Sequence, residues 1–310
     1  MAYAPAQLRT LSGSGDGAIA VPGMPGLQGQ PTARAERPLM STDNSKKKLV
    51  EGLAADLAAE TRDLAAVLSG LGDADWDAPT PAAGWGVRDQ VTHLAYFDDA
   101  AALSLRDPEA FRRQVAKEIA EDGTGFPDKV AERNRRLSGA QCLAWFSRSR
   151  DALLAAYLTA DPAARLPWYG PEMGIPSSIT ARLMETWAHG QDIRDTVGIA
   201  TIATLRLRHI ADLGVRTLGF SFTQRGLAVP DEPVLVTLTG PGGESWTWGA
   251  PDAVSRVSGA ALDFCLVVTQ RRNVADTRLR VDGDAAQRWI AVAQAFAGMP
   301  TDPRPAGMFT

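Results

Sequence analysis

Apolar residues recur at helical spacing along most of the first two thirds of the chain. Leu49, Leu53, Leu57, Leu64, Val67 and Leu68 follow a 3.6-residue period, with a polar start at Asp43 or Ser45 and Gly70 near the stop, and predict a first long helix. A loop over 72–86 carrying Pro79, Pro81 and Gly84 ends in Trp85 and Gly86, and a second helix runs from there to about Leu105. Its stripe is Val87, Val91, Leu94, Ala101 and Leu105, which leaves His93 and Phe97 at the border, partly buried. A short charged helix over 107–122 and a long one from about Asp128 to Thr159 follow. The loop 161–176, with four prolines and Trp168-Tyr169-Gly170, then delivers the chain to a helix carrying Glu185 and His189. Four substantial helices with one shorter insert imply an antiparallel bundle.

Past Gly198 the texture changes. Thr204 to Arg225 still reads as a helix. Pro233 to Thr239, however, alternates Val234, Val236 and Leu238 with Leu235, Thr237 and Thr239, and Trp246-Thr247-Trp248-Gly249 follows a Gly242-Gly243 turn, which are hairpin signals. Further strands are expected over Val254 to Ser258 and Thr277 to Val281, and helices over Gly259 to Gln270 and Ala285 to Ala297. The fold class is therefore α+β, with a helical bundle over 42–200 and a small α+β domain over 201–299. Residues 1–41, rich in Gly, Pro, Ala and Ser, read as a disordered leader without chemistry, with Met40 an alternative start, and residues 300–310 as a loose tail.

Composition narrows the function. A formal net charge of −4, with no basic run longer than Lys46-Lys47-Lys48, argues against nucleic acid. The two cysteines, Cys142 and Cys265, sit in apolar helical contexts and suit buried thiols in a reducing cytoplasm. No stretch of about 18 uncharged apolar residues is present, so no membrane span and a cytoplasmic protein are expected.

The chemistry concentrates on Glu185 and His189. At i and i+4 on a helix they differ by about 40° around the axis, so both side chains can reach one small ion. By itself such a pair is commonly a surface ion pair worth a few tenths of a kcal/mol. The chain has three histidines, His93, His189 and His209, and His93 is the natural third ligand. Two His and one Glu would hold a divalent metal, Zn, Ni, Fe(II) or Mn, with positions open for solvent or substrate. His209, among Arg206, Arg208 and Asp212, reads as a surface or interdomain residue. Asp98 lies on the apolar face of its helix, where an unpaired carboxylate is costly. It either orients a ligand or serves in a cap or salt bridge. Asp192, three residues after His189, either supports the ligand face or pairs with Arg88 or Arg194. Trp168, Tyr169 and Trp187 line a cleft or belong to the core.

Trp85-Gly86-Val87-Arg88-Asp89-Gln90-Val91-Thr92-His93-Leu94 and Glu185-Thr186-Trp187-Ala188-His189-Gly190-Gln191-Asp192 together resemble the metal-binding domain of the mycothiol-dependent maleylpyruvate isomerase family. The resemblance covers roughly residues 45–200. It implies a DinB-like four-helix bundle, His93, Glu185 and His189 as metal ligands, zinc as the favoured ion and mycothiol as the thiol. The remaining third is similar, more loosely, to the family's small sterol-carrier-protein-like domain, through Trp246-Thr247-Trp248-Gly249 and Asp263-Phe264 to Arg271. There the family implies an arginine facing the metal cleft, here Arg271 or Arg272, to hold a substrate anion. One departure is Gly86, where Ser or Thr is usual; glycine still serves as an N-cap. The implied function is an isomerase or transferase acting on a small electrophilic substrate with a low-molecular-weight thiol. A metal-dependent binding or regulatory module without turnover is the alternative.

Overall fold

A computed structural model describes residues 40–309, and the leader expected before residue 40 lies outside the described residues. Four long helices form the first unit: α1 (Met40–Ser69), α3 (Val87–Arg106), α6 (Gly139–Thr159) and α7 (Ile175–Val197). In the main packing pairs α1 and α3 each contact both α6 and α7, which closes a four-helix bundle. The short α2 (Asp73–Trp76) sits in the α1–α3 connection, and α4 (Pro108–Asp122) and α5 (Phe126–Asn134) form an insert against α3.

Two expected helices are each interrupted. The segment 128–159 breaks between α5 and α6, because Ser138 opens a new helix: its hydroxyl accepts from the Gln141 amide at 3.2 Å, and the Gln141 side chain accepts from the Ser138 amide at 2.7 Å. The segment 204–225 divides into α8 (Leu207–Arg216) and α9 (Leu218–Thr223). At the break the Thr217 hydroxyl donates back to the carbonyls of Leu213 and Gly214 at 2.9 and 3.0 Å, competing with the helical ladder.

A two-residue hairpin, β1 (Arg165–Leu166) with β2 (Met173–Gly174), leads into α7, and Gly198 in the left-handed region (φ 69°) ends that helix. The second unit holds a four-stranded sheet of order β4-β3-β5-β6, made of β3 (Val234–Thr239), β4 (Ser245–Trp248), β5 (Ser255–Ala260) and β6 (Arg280–Asp282). β3 and β4 form the expected antiparallel hairpin, whereas β3 and β5 run parallel. With a neighbour on either side, β3 buries Leu235 and Val236 in succession, so the alternation read from its sequence does not separate a wet face from a dry one. Helices α10 (Ala261–Val268) and α11 (Asp284–Val292) complete the unit.

One apolar cluster runs through both units, from Leu53, Leu57 and Leu183 in the bundle to Val236, Phe264 and Trp289 beyond it. Polar bridges add to it. His209 on α8 lies 2.7 Å from Asp56 on α1, an interdomain pairing, and the Arg206 guanidinium donates to Glu60 at 2.7 Å. The segment after residue 299 is not a loose tail. Thr301 donates to Gln270 at 2.6 Å, Arg304 bonds Asp192 on α7, and Phe309 lies 3.7 Å beneath the Arg272 guanidinium. Among the described residues no helix is long and apolar enough to cross a membrane.

Candidate metal centre

The site begins at the N-terminus of α3. Gly86 caps the helix, and its amide donates to the Asp89 carboxylate at 2.9 Å. A Cβ on Gly86 would stand 3.3 Å from the Ala78 carbonyl oxygen, tighter than most such contacts, so the residue without a side chain suits this turn. Two turns on, His93 projects toward α7, which brings Glu185 and His189 on adjacent turns of one face.

His93, Glu185 and His189 each offer one ligand atom, and these atoms lie within 4.8 Å of one another. The Nε2 of His189 is 3.0 Å and that of His93 3.7 Å from the same Glu185 oxygen, Oε2. Burial pushes the Glu185 carboxyl up, but the hydrogen bond with His189 and the nearby His93 ring, joined by the charges of His189 and Arg182, more than reverse this and hold it well below the usual carboxylate range. Burial, reinforced by the neighbouring His189, pushes His93 down to about 4. The centre at neutral pH thus holds an ionised carboxylate beside a neutral imidazole at His93, the forms a metal requires.

The donor set fits a divalent ion on further grounds. His93 Nδ1 is buried without a hydrogen-bond partner among the described residues, a state that costs on the order of 1–3 kcal/mol unless water or an ion reaches that nitrogen. The other ring is positioned by protein. His189 Nδ1 bonds the Gln90 side-chain oxygen, Gln90 Nε2 donates to the Thr80 hydroxyl at 2.8 Å, and that hydroxyl donates to the Trp85 carbonyl at 2.8 Å. With Gln90 as acceptor, Nδ1 of His189 carries a proton, which leaves Nε2, the nitrogen that bonds Glu185, as the one an ion would engage. The sequence reading did not single out Gln90. The available signal was a polar residue one turn before His93 on a helix whose neighbouring positions are buried.

Arg182 was also not singled out, although it precedes Glu185 by one turn. Asp98, fully buried, accepts from Arg150 at 2.7 and 3.1 Å and from Arg182 at 3.2 Å, and bonds no histidine, so of its two expected roles the structure shows the salt bridge. Arg150 also donates to Thr61 and Thr186, tying α1, α3, α6 and α7 together in one buried polar knot. The guanidinium of Arg182 lies 5.9 Å from the Phe97 ring centroid.

The remaining expectations are redistributed. Asp192 is buried and pairs with Arg271 at 3.1 Å and with Arg304. The arginines expected as its partners are engaged elsewhere, Arg88 on Asp77 and Arg194 on the Asp63 carbonyl. In place of an open anion clamp, Arg271 donates to the Ala188 carbonyl at 3.1 Å, and Arg272 holds Asp195 through two bonds of 2.7 Å. Trp168 and Tyr169 are half-buried and pack with Phe97, Phe111 and Phe126 into an aromatic cluster whose inner member, Phe97, stands 4.5 Å from the His93 ring. The Tyr169 hydroxyl donates to Glu118 at 3.0 Å. Trp187 belongs to the main core. Trp85 covers the other side of the centre, its ring 5.1 Å from His93 and stacked 6.0 Å from His189. Both cysteines are buried free thiols, and burial pushes Cys142 up to about 11, so neither supplies a thiolate.

A family model described as the mycothiol maleylpyruvate isomerase N-terminal domain matches residues 57–194, a span that contains all three donors. A second model, described as wyosine base formation, matches residues 230–281. Uncharacterized proteins from two strains of Mycobacterium tuberculosis are each 43% identical over 246 residues, covering 79% of this chain and 95% of theirs. Two crystal structures of the mycothiol-dependent maleylpyruvate isomerase, one of a mutant, align with TM-scores of 0.51 at 16% and 15% identity, over 72% of this chain and 89% of those chains. At that identity the likeness is one of fold.

Proposed function

Because the chain belongs to the mycothiol-dependent maleylpyruvate isomerase family, we propose that it is a metal-dependent enzyme that uses mycothiol as thiol cosubstrate on a small unsaturated or electrophilic substrate. The observation that carries this reading is the convergence of His93, Glu185 and His189 within 4.8 Å, with the His189 tautomer held by Gln90. A divalent ion at these donors, with zinc first among those the set accepts, would lower the pKa of a bound thiol so that the thiolate is available at neutral pH. The protein's own residues prepare the place. Glu185 stays ionised because His189, His93 and Arg182 face it, and Trp85 and Phe97 wall the centre with aromatic surface. Arg271, bonded to the carbonyl next to His189, is the candidate cation for a substrate anion. To serve, it must exchange part of its pairing with Asp192, and Arg272 stays with Asp195.

Metal analysis and calorimetry test this together. The wild-type chain should bind one divalent ion per chain and bind mycothiol when loaded, with little binding by the metal-free form. His189→Ala should lose most of the metal while its helical circular dichroism persists. Full stoichiometry with unchanged affinity in that variant would remove the assignment. Equal affinity for mycothiol with and without metal would place the thiol elsewhere and favour a binding module without turnover.

A further inference from the structure

Beside the metal centre, behind the indole of Trp85, lies a cavity of about 380 Å³ lined by Trp76, Asp77, Trp85, Arg88, Asp89 and Arg135, among others. Its volume is within the roughly 300–1,000 Å³ of small-molecule sites. Two features define its chemistry. Two arginines face two aspartates, Arg88 on Asp77 at 2.7 Å and Arg135 on Asp89 at 2.9 Å, so the lining has no excess charge to attract an anion or a cation. Each pair nevertheless keeps unused capacity. Arg88 bonds Asp77 Oδ1 through Nε and Nη2, and Arg135 bonds Asp89 and the Gly84 carbonyl through Nε and Nη2. Asp77 Oδ2 and the Nη1 groups of both arginines therefore have no protein partner among the described residues.

Paired donors and acceptors without net charge, set beside an indole face, are what a neutral polyhydroxylated ligand requires. Each hydroxyl donates to a carboxylate oxygen and accepts from a guanidinium, and the sugar's C–H face covers the aromatic ring. Capping explains Asp89, which holds the Gly86 amide, whereas the Asp77–Arg88 pair lies at the open side of the cavity, where the Asp77 side chain is exposed and can meet a ligand as readily as solvent. The indole is held in place, since Trp85 Nε1 donates to Asp128 at 2.8 Å. The ring that lines the cavity also stands 5.1 Å from His93 and 6.0 Å from His189.

We propose that this cavity holds the neutral sugar–cyclitol head of the thiol cosubstrate, while its cysteinyl arm passes the edge of Trp85 to reach the metal centre. The assignment rests on the mycothiol reading above and adds where the thiol is recognised and by which groups. The probe is the thiol-free head itself, an N-acetylated glucosaminyl-inositol, titrated calorimetrically into the full chain alongside intact mycothiol. The head should bind wild type, and should bind His189→Ala with the same affinity, since none of its contacts is a metal ligand. Asp77→Ala is safe to make, because that side chain is 73% exposed. It should weaken binding of the head at least tenfold and leave metal content unchanged. If mycothiol binds but the head does not, or if Asp77→Ala binds the head as wild type does, the cavity assignment is overturned and the mycothiol reading stands. If neither compound binds the metal-loaded protein, the mycothiol reading fails and takes this assignment with it.

Discussion

Replacing Gln90 by leucine is the sharpest test of how the centre is built. Gln90 is fully buried, and its oxygen is the acceptor that fixes Nδ1–H of His189. Leucine has nearly the same volume and no acceptor, so packing survives while the imidazole loses its orientation and tautomer. Loss of such an outer partner typically weakens metal affinity about 10- to 100-fold, or about 1.4–2.7 kcal/mol. In the metal-free protein the cost falls mainly on His189, because the Thr80 hydroxyl keeps its bond to the Trp85 carbonyl at 2.8 Å. One buried donor without a partner is worth about 1–3 kcal/mol of stability. Competition for zinc against a chromophoric chelator, with urea melts of the metal-free proteins, measures both quantities. Gln90→Glu, which keeps the acceptor, should bind metal at least as tightly as wild type. A folded Gln90→Leu protein with wild-type zinc affinity would mean that the ring is oriented by packing alone, and the account of the tautomer would be wrong.

Three more outcomes are expected. His93 is pushed down to about 4 by burial and by His189, against about 6.5 in the unfolded chain. The unfolded state therefore takes up this proton first as pH falls, and about 3 kcal/mol present above pH ~6.5 is lost by pH ~4. Urea melts of metal-free protein across that window should show a loss that His93→Gln lacks, and parallel curves would contradict the assignment. Asp98→Ala leaves Arg150 and Arg182 buried without their carboxylate, and should lower stability by about 3–5 kcal/mol in denaturant melts. Loss of less than about 1 kcal/mol would show that water reaches the pair. Arg304→Ala removes one of the two arginines on Asp192 and should raise hydrogen exchange through residues 300–309 without changing metal content; unchanged protection would show that the segment is held by its other contacts.

The parts of the site that the sequence showed are those in which chemistry and helical period coincide. Glu185 and His189 share a face by spacing, His93 sits at the edge of an apolar stripe, and Asp98 on that stripe signalled a buried partner. The partners themselves were not visible. Arg150 and Arg182 lie 52 and 84 residues from Asp98 and meet it only when three helices pack. Gln90 and Thr80 are ordinary polar residues until the fold places one against His189 and the other against Gln90. Arg271 and Arg272 were expected at the centre as cations, yet the docked terminal segment and two aspartates of α7 surround them, a three-way arrangement that no local pattern encodes. The interruptions at Ser138 and Thr217 were written in side chains that cap or compete with backbone, signals weaker than the apolar period running across them.

The polar pins along α7 bear on how the centre would select an ion. Counted at 100° per residue from Arg182, Thr186 lies at about 40°, Asp195 at about 220° and Asp192 at about 280°, while Glu185 and His189 fall at about 300° and 340°. The two ligands thus occupy an arc bracketed on both sides by residues tied to α3, α6, the loop after α10 and the terminal segment. A roll or one-turn slip of the helix would unpair buried charges at several points at once. The donor atoms are therefore fixed in the folding step, and little conformational entropy is left for an ion to remove on binding. Such a centre would discriminate by the size and geometry of what enters it, because it has little freedom to reshape itself around a poorer fit.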